Sequence, residues 1–528
     1  MALVLQEGKH SMKHFRIFRV GLVCLAFLLG VLLLGSVSGR SMGQTVSWGT
    51  AIPLSPAGSF SWFPDITADR SGRVHVAWAS GVPGFDAVVY TSSVNGEVWS
   101  PPNDVAAVAQ ESGSAATRPA MLVDPRGYLH LTFVDTKTLY YSRAPIWNAG
   151  SAAAWTDRQV LSGQQVAYFS RMAIDSKGVI HLVYTENASS VACMGCYHLY
   201  YRQSADAGET WSPAVDISLE QDGVAKPTLI IDSKDQLHVV WEGGQGGGLG
   251  QLPDPTTVKY AASYDGGVTW TKATAFSVIE NPNLKNITLG IDREKRLVVV
   301  FWALPYDWLM YSVSEDAGRT WSAPAQISGV WGAAAVYKSN LDTYSMASDS
   351  AGNLHLIFVG RKAIDSKTVD VLDVVWDGQT WSSPTTIAEY EKDVPEWPRV
   401  VISQGNQINV VWFVRDEAHI WESDKGRYRV WYARGVSAAA SEPAQIIPTF
   451  TPVSPTPTLE VSPPPPSPEV TPSEVNFPLN PTLRATENAP GGNVLYAEQD
   501  YLAVVVKAVI PSVLFLAGVV LIAFLRKR

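Results

Sequence analysis

The sequence predicts an all-β fold: a seven-bladed β-propeller of four-stranded antiparallel blades over residues 46–447, with six blades as the alternative count, then a proline-rich stalk and a C-terminal transmembrane helix. Three observations carry this. A unit of fifty-odd residues returns seven times along the chain. Within each copy, short runs of β-branched and aromatic residues alternate with polar ones, the period of half-buried strands. A turn string, Ser-x-Asp-x-Gly-x-Thr-Trp, recurs at one place in the copy, as in "SADAGETWS" (204–212), "SYDGGVTWT" (263–271) and "SEDAGRTWS" (314–322).

The copies read "FPDITADRSGRVHVAWAS" from Phe63, "RPAMLVDPRGYLHLTFVD" from Arg118, "SRMAIDSKGVIHLVYTE" from Ser170, "KPTLIIDSKDQLHVVWEG" from Lys226, "NITLGIDREKRLVVVFWA" from Asn286, "YSMASDSAGNLHLIFVG" from Tyr344 and "WPRVVISQGNQINVVWFV" from Trp397. Their starts step by about 52 to 60 residues, a period of propellers rather than helical solenoids. Each copy holds a run such as "AMLVD", a turn such as "PRG", an alternating run such as "LHLTFV", a third run such as "LYYSR" and a fourth such as "WSAPAQIS". Four such strands make a blade, and blades repeated radially make a propeller. The last copy supplies three strands, at 398–403, 407–414 and 427–433. "VSWGTAIPLS" (46–55), with Trp48 in the place of the repeated tryptophan, is expected to complete that blade and lock the ring; "SEPAQII" (441–447) is the rival fourth strand.

The recurrent turn falls between the third and fourth strands. Asp206, Asp265 and Asp316 are placed to accept backbone N–H bonds, Gly208, Gly267 and Gly318 to take positive φ, and Trp211, Trp270 and Trp321 to fold back under the blade. Shortened relatives, "VNGEVW" (94–99) and "WDGQTW" (376–381), keep an Asx-Gly turn and the tryptophan. These strings resemble the Asp-box (BNR) repeats of the sialidase-like propeller superfamily, in three good copies and two degraded ones. In that family the Asp boxes lie on the face away from the active site, and many members are other enzymes or binding proteins. The resemblance therefore implies architecture rather than catalysis.

At the N-terminus, Lys9, Lys13, Arg16 and Arg19 precede an apolar run from Val20 to Leu34 and the small residues of "GSVSG", the order of a secretory signal peptide over 1–39, with an uncleaved anchor as the alternative. Residues 448–500, rich in Pro, Thr and Ser, read as an extended stalk. The run at 502–525 is long and apolar enough to span a bilayer, and the basic tail 526–528 would keep that end in the cytoplasm. The expectation is a propeller outside the cytoplasm, tethered to the plasma membrane by its C-terminus. A net charge of -9 argues against a nucleic-acid partner. Of three cysteines, Cys24 lies in the signal, leaving Cys193 and Cys196 in "CMGCYH" as a local disulfide, a metal half-site with His198, or a free dithiol.

Function is expected on the face where loops vary, opposite the stereotyped turns. At the entrances of first strands on that face stand Asp65, Arg118, Arg171, Lys226, Tyr344 and Arg399; at the exits of second strands stand Asp135, Glu186, Glu242 and Asp416. Basic residues interleaved with carboxylates around a mouth suit an anionic or polyhydroxylated ligand, because arginine offers a carboxylate a bidentate fork. Trp62, Phe63, Tyr306, Trp308 and Trp397 are aromatic residues nearby that can stack on sugars. The bland alternative is that these charges only pair across the mouth. His75, His130, His181, His238 and His355 recur once per blade and cannot converge, so they read as packing groups, and no metal or cofactor is expected.

The leading reading is a surface-displayed module binding a glycan or a cell-surface or envelope protein; a purely structural envelope protein is not separable from it. The alternative is an exo-sialidase or other glycoside hydrolase. The family's pattern implies three arginines clamping a substrate carboxylate, a tyrosine nucleophile activated by a glutamate, and an aspartate acid/base. By position these are Arg118, Arg171 and Arg399 with Tyr344, Glu242 and Asp135. The family's Phe-Arg-Ile-Pro stretch is replaced here by "FPDI" (63–66), which lacks the arginine.

Overall fold

The structure, a computed structural model, describes residues 46–445 apart from 83–84, 110–117, 136, 164, 190–193, 219–222, 245–255, 279–282, 334–340 and 417–427. The strands of the described residues gather into seven four-stranded units, each antiparallel within itself. Blade 1 holds Phe60–Ala68, Val74–Val82, Phe85–Ser93 and Asn103–Ala109; blade 2 holds Ala120–Val123, Tyr128–Asp135, Thr138–Pro145 and Gln159–Val160. Blade 3 runs from Ala167–Ile174 to Val215–Asp216, blade 4 from Gly223–Ile231 to Thr274–Ala275, blade 5 from Asn283–Ile291 to Ala325–Trp331, and blade 6 from Ser345–Ser348 to Thr385–Tyr390. Blade 7 consists of Val394–Ser403, Gln407–Arg415 and Tyr428–Val436, completed from the N-terminus.

Its completion is split in two. Ser47–Trp48 pairs with Val436 and Gly435, and Ile52–Pro53 pairs with Tyr432 and Trp431, so both ends of the domain share one blade. The rival segment does not form a strand: its described part instead sends the Glu442 N–H to Gln404 O and the Gln445 N–H to Arg70 O. The first strand of every blade touches the first strand of the next, and that of blade 7 touches that of blade 1, which closes the ring.

Second strands explain why the blades stack. Leu237–Gly244 and Leu354–Gly360 are buried along their whole length, because each lies mid-blade with a neighbouring blade against either face. Most of the core is therefore interblade, such as the cluster of Val240, Leu289, Val299 and Phe301 between blades 4 and 5.

The recurrent turns supply a second interblade tie. In each full box the aspartate accepts the backbone N–H four residues on, from Thr210 at 2.9 Å, Thr269 at 2.9 Å and Thr320 at 2.8 Å. The box tryptophan then meets a tyrosine of the preceding blade edge-on, Trp211 on Tyr141, Trp270 on Tyr201 and Trp321 on Tyr260, at centroid distances of 5.1, 5.1 and 5.0 Å. Each tyrosine hydroxyl in turn lies 2.7 Å from a recurring histidine, His130, His181 or His238. Burial lowers the pKa of these rings and keeps them neutral. At these three blade interfaces the recurring histidine is a packing device.

Two expectations change. The signal peptide, stalk, transmembrane helix and basic tail lie outside the described residues. Among the described residues no helix is long and apolar enough to cross a membrane. The transmembrane part of the fold class, the single-pass plasma-membrane placement and the membrane as a partner are corrected accordingly and not retained. Cys196 is disulfide-bonded, which removes the dithiol and metal half-site readings, and among the described residues no group of three or more His, Cys, Asp or Glu is placed to hold a metal ion.

Candidate active site

Inner strands carry a β-bulge near their entrance, with register shifts between Trp62 and Asp65, Ala225 and Thr228, Lys285 and Thr288, and Glu396 and Arg399. At each of these bulges one residue takes a left-handed conformation: Phe63 at φ 48°, Lys226 at 47°, Asn286 at 53° and Trp397 at 61°. A bulge re-aims a side chain, and left-handed non-glycine residues are uncommon enough to mark a constrained site. Here they turn side chains of blades 1, 4, 5 and 7 inward, where they meet one another across the ring.

On one side of this centre the partners are aromatic. Phe63 of blade 1 meets Trp397 of blade 7 edge-on at 5.0 Å, and Phe169 of blade 3 stacks on the same indole at 5.8 Å. The three expected arginines gather on this cluster. The Arg118 guanidinium lies 3.5 Å from the Tyr168 ring centroid, 4.5 Å from that of Phe63 and 5.5 Å from that of Phe169, and also bonds the Tyr168 hydroxyl. Arg171 and Arg399 lie over Trp397 at 5.8 and 4.5 Å. Burial lowers the pKa of Arg118 and Arg171, without threatening their charge. Asp65 sits among them: it accepts the Met121 N–H at 2.7 Å, lies 3.9 Å from Arg399 Nε, and is pushed up by burial against the pull of Arg171.

On the other side the partners are polar. Lys226 Nζ lies 3.3 Å from Glu242 Oε1 and donates to the main-chain oxygen of Asp342 at 2.8 Å, joining blade 4 to the entrance of blade 6. The Asn286 N–H donates to the same Glu242 oxygen at 2.7 Å. Asp342 accepts the Trp397 backbone N–H at 3.1 Å, so Trp397 bears on the carboxyl group through its backbone and on two arginines through its ring. Tyr344, 1% exposed, is pushed well above the ordinary phenol range by burial and then by Asp342 and Asp307. Among the described residues, Glu242 Oε2 and Thr343 Oγ1 are buried without a hydrogen-bond partner, while Tyr344 and Asn286 hydrogen-bond one another.

Of the expected site residues, Arg118, Arg171, Arg399, Asp65 and Trp397 thus lie in one half of the centre, and Lys226, Glu242 and Tyr344 in the other. Of the remaining three, Asp135 and Glu186 are engaged by neighbouring loops and strands of their own blades. Asp135 ion-pairs with Arg158 at 3.7 Å, beside a cavity of ≈ 230 Å³ between blades 1 and 2 that Arg158 lines with Phe133 and Trp155. Glu186 accepts the N–H groups of Gly163 at 2.9 Å and Gln165 at 3.1 Å, the work of a loop clamp. Asp416 follows the last residue of Gln407–Arg415 and is half-buried. Sequence reasoning missed Phe169, Asn286, Asp342 and Glu396. Asn286 opens its quoted copy at the very position of Lys226, a signal that was available; Asp342 precedes its copy and carries none.

The register places the centre at one end of the blades and the boxes at the other. In blade 1 the inner strand enters with Phe60 opposite Gly81 and leaves with Ala68 opposite Val74, while Val74 faces Ser93, where the third-to-fourth turn begins. Fold and clasp together define an Asp-box propeller with a filled centre. Residues 146–405 match the BNR repeat-like domain. The chain carries this domain.

No curated protein matches the chain. Among solved structures, an ulvan lyase, described as a new family of polysaccharide lyase bound to -[GlcA(1-4)Rha3S]-, is 11% identical over 74% of this chain and 93% of its own, with a TM-score of 0.50. An α-L-arabinanase from Penicillium chrysogenum is 12% identical over 74% and 98%, with a TM-score of 0.44. A sialidase from Streptococcus pneumoniae is 12% identical over 77% and 72%, with a TM-score of 0.42. At such identities the likeness speaks for the fold alone. The leading expectation, a membrane-anchored binding protein, is corrected: among the described residues no helix is long and apolar enough to cross a membrane.

Proposed function

We propose that the chain is a glycoside hydrolase of the sialidase-like superfamily that acts on glycans bearing a carboxylate sugar. One observation carries this reading: Arg118, Arg171 and Arg399, from blades 2, 3 and 7, converge on the aromatic cluster of Phe63, Phe169 and Trp397. Cations held against aromatic faces in a buried setting are oriented before a ligand arrives, and a guanidinium fork suits a carboxylate. Asp65, the carboxylate beside Arg171 and Arg399, is itself pushed toward its neutral form by burial. The buried Glu242 Oε2 and Thr343 Oγ1, without partners among the described residues, are groups that sugar hydroxyls would satisfy.

The test is a panel of 4-methylumbelliferyl glycosides, sialoside and glucuronide against galactoside and arabinofuranoside. Release from a carboxylated glycoside and not from its neutral counterparts is expected. Arg171→Ala and Arg399→Ala should each lower kcat/KM on it by about 10- to 100-fold, the worth of a charge-assisted hydrogen bond. Retention of carboxylated glycans without turnover, or an unsaturated uronate product from a uronate polysaccharide, would overturn the hydrolase reading.

A further inference from the structure

We propose that the cavity of ≈ 230 Å³ between the outer parts of blades 1 and 2 binds a single neutral sugar ring, a glycan site separate from the centre and independent of the hydrolase reading. The sequence departs from the repeat at this place. Where blades 3, 4 and 5 carry a full box, blade 2 joins Thr138–Pro145 to Gln159–Val160 through residues 146–158, which hold a single 3-10 turn at Ala152–Ala154. Trp155 keeps the position of the box tryptophan: the next residue, Thr156, donates its N–H to Arg143 O at 2.9 Å, as Ser212 does to Gln203 O at 2.9 Å. Its ring is used differently. Trp211, Trp270 and Trp321 pack edge-on against a tyrosine of the preceding blade, whereas Trp155 sends its Nε1–H to Ala149 O at 2.9 Å within its own loop and lines the cavity.

The lining combines what a sugar ring needs. Val105 of blade 1 and Phe133 of blade 2 belong to the apolar cluster between the two blades, and Trp155 packs against that cluster, so one wall is apolar and aromatic. An indole whose N–H is already bonded has ring surface left to offer, and a pyranose has an apolar face to lay on it. Polar groups stand beside this wall. Asp157 and Arg158 follow Trp155 in the chain and line the same cavity, one able to accept from sugar hydroxyls and the other to donate to them. The loop is anchored before any ligand arrives: Asn103 Nδ2 of blade 1 donates to Gly150 O at 2.7 Å, and Ser142 Oγ donates to Thr156 O at 2.7 Å. Arg158 is held as well, bonded to Ala107 O of blade 1 and lying 5.4 Å from the Phe133 ring centroid. Charge selects a neutral occupant. Arg158 is already opposed by Asp135 at 3.7 Å, and Asp157 adds a second carboxylate that repels an acid sugar. The volume, below the roughly 300–1,000 Å³ of pockets that enclose drug-sized ligands, limits the occupant to one ring.

The test is saturation-transfer NMR of the full chain with methyl glucoside, methyl galactoside and methyl mannoside, and with methyl glucuronide as the charged counterpart. Transfer to a neutral glycoside is expected, with a dissociation constant on the order of 1 mM. Trp155→Ala and Asp157→Ala should each weaken it by about 10-fold or more, the worth of a ring contact or of a charge-assisted hydrogen bond. Ala152→Phe carries a ring into the cavity from an exposed position and should abolish the transfer at an unchanged melting temperature, which separates lost binding from lost folding. Absence of transfer to all of the neutral glycosides, equal transfer in the wild type and the variants, or preference for the glucuronide over the glucoside overturns the proposal. None of these readouts needs turnover, so the proposal stands or falls apart from the hydrolase reading.

Discussion

The clasp between blades can be dissected at two adjacent glycines of one turn. Gly266 and Gly267 both take left-handed φ, 71° and 91°. A Cβ added at Gly266 meets nothing within 4 Å, whereas one at Gly267 overlaps the Tyr201 hydroxyl and ring of the preceding blade. Gly266→Ala therefore carries the backbone cost only, about 1 kcal/mol. Gly267→Ala carries the same cost and must also displace Tyr201. That displacement breaks the 2.7 Å contact with His181 and the edge-to-face packing on Trp270. The hydrogen bond contributes about 1 kcal/mol, with more if His181 is left buried and unpaired. The ring pair adds about 0.5–1.5 kcal/mol, for a total of about 2.5–3.5 kcal/mol. Urea midpoints of the two variants measure the difference, and Tyr201→Phe in the Gly267→Ala background should shrink it, since the hydroxyl is the nearest atom to the new Cβ. Equal midpoints for the two alanine variants would refute the view that the box glycine exists to admit the neighbouring blade.

Three further outcomes follow from other contacts. His355 lies between Asp373, 3.2 Å from Nδ1, and Asp349, 3.6 Å from Nε2; burial opposes its charge, but the two carboxylates prevail and lift it from 6.5 to about 9. A raised folded-state value stabilises fully below about 6.5 and is lost as pH rises through about 9, so the urea midpoint should drop across that window and the drop should shrink in Asp373→Asn; a flat profile would refute the assignment. Deleting residues 46–53 strips the outer strands from Tyr428–Val436, and limited proteolysis should then cut within 428–436 while the intact chain resists; equal resistance would show that the ring does not depend on this latch. Arg415→Leu leaves the fully buried Glu396 carboxylate uncompensated beside Asp342, and a melting temperature unchanged from wild type would refute the pairing, because breaking a buried ion pair costs about 3–5 kcal/mol.

The site was half legible. Arg118, Arg171 and Arg399 could be named because the repeat fixes where an inner strand enters, and a charged residue there faces the centre of the ring whatever surrounds it. Asp135, Glu186 and Glu242 were chosen by one positional rule at second-strand exits, which does not show where each side chain is engaged: Glu242 meets Lys226 and Asn286, whereas Arg158 engages Asp135 and the Gly163 and Gln165 amides engage Glu186. Asp342 was invisible because it lies outside the repeated unit and acquires its surroundings from blades 4, 5 and 7.

By itself the amino-acid order determined the four-stranded repeat and the turn chemistry, because each rests on local patterns that a repeat states several times over; the choice of seven blades over six, and of residues 46–55 over 441–447 as the closing strand, was decided by strand pairing in three dimensions. Which inner-strand residues face one another across the ring was decided only in three dimensions. Bulges at Phe63, Lys226, Asn286 and Trp397 turn their side chains inward, and no periodicity shows how far a bulge turns. The protonation state of a carboxyl group at that centre depends on the sum of distant charges and lost solvent, which comes into being only when the ring closes.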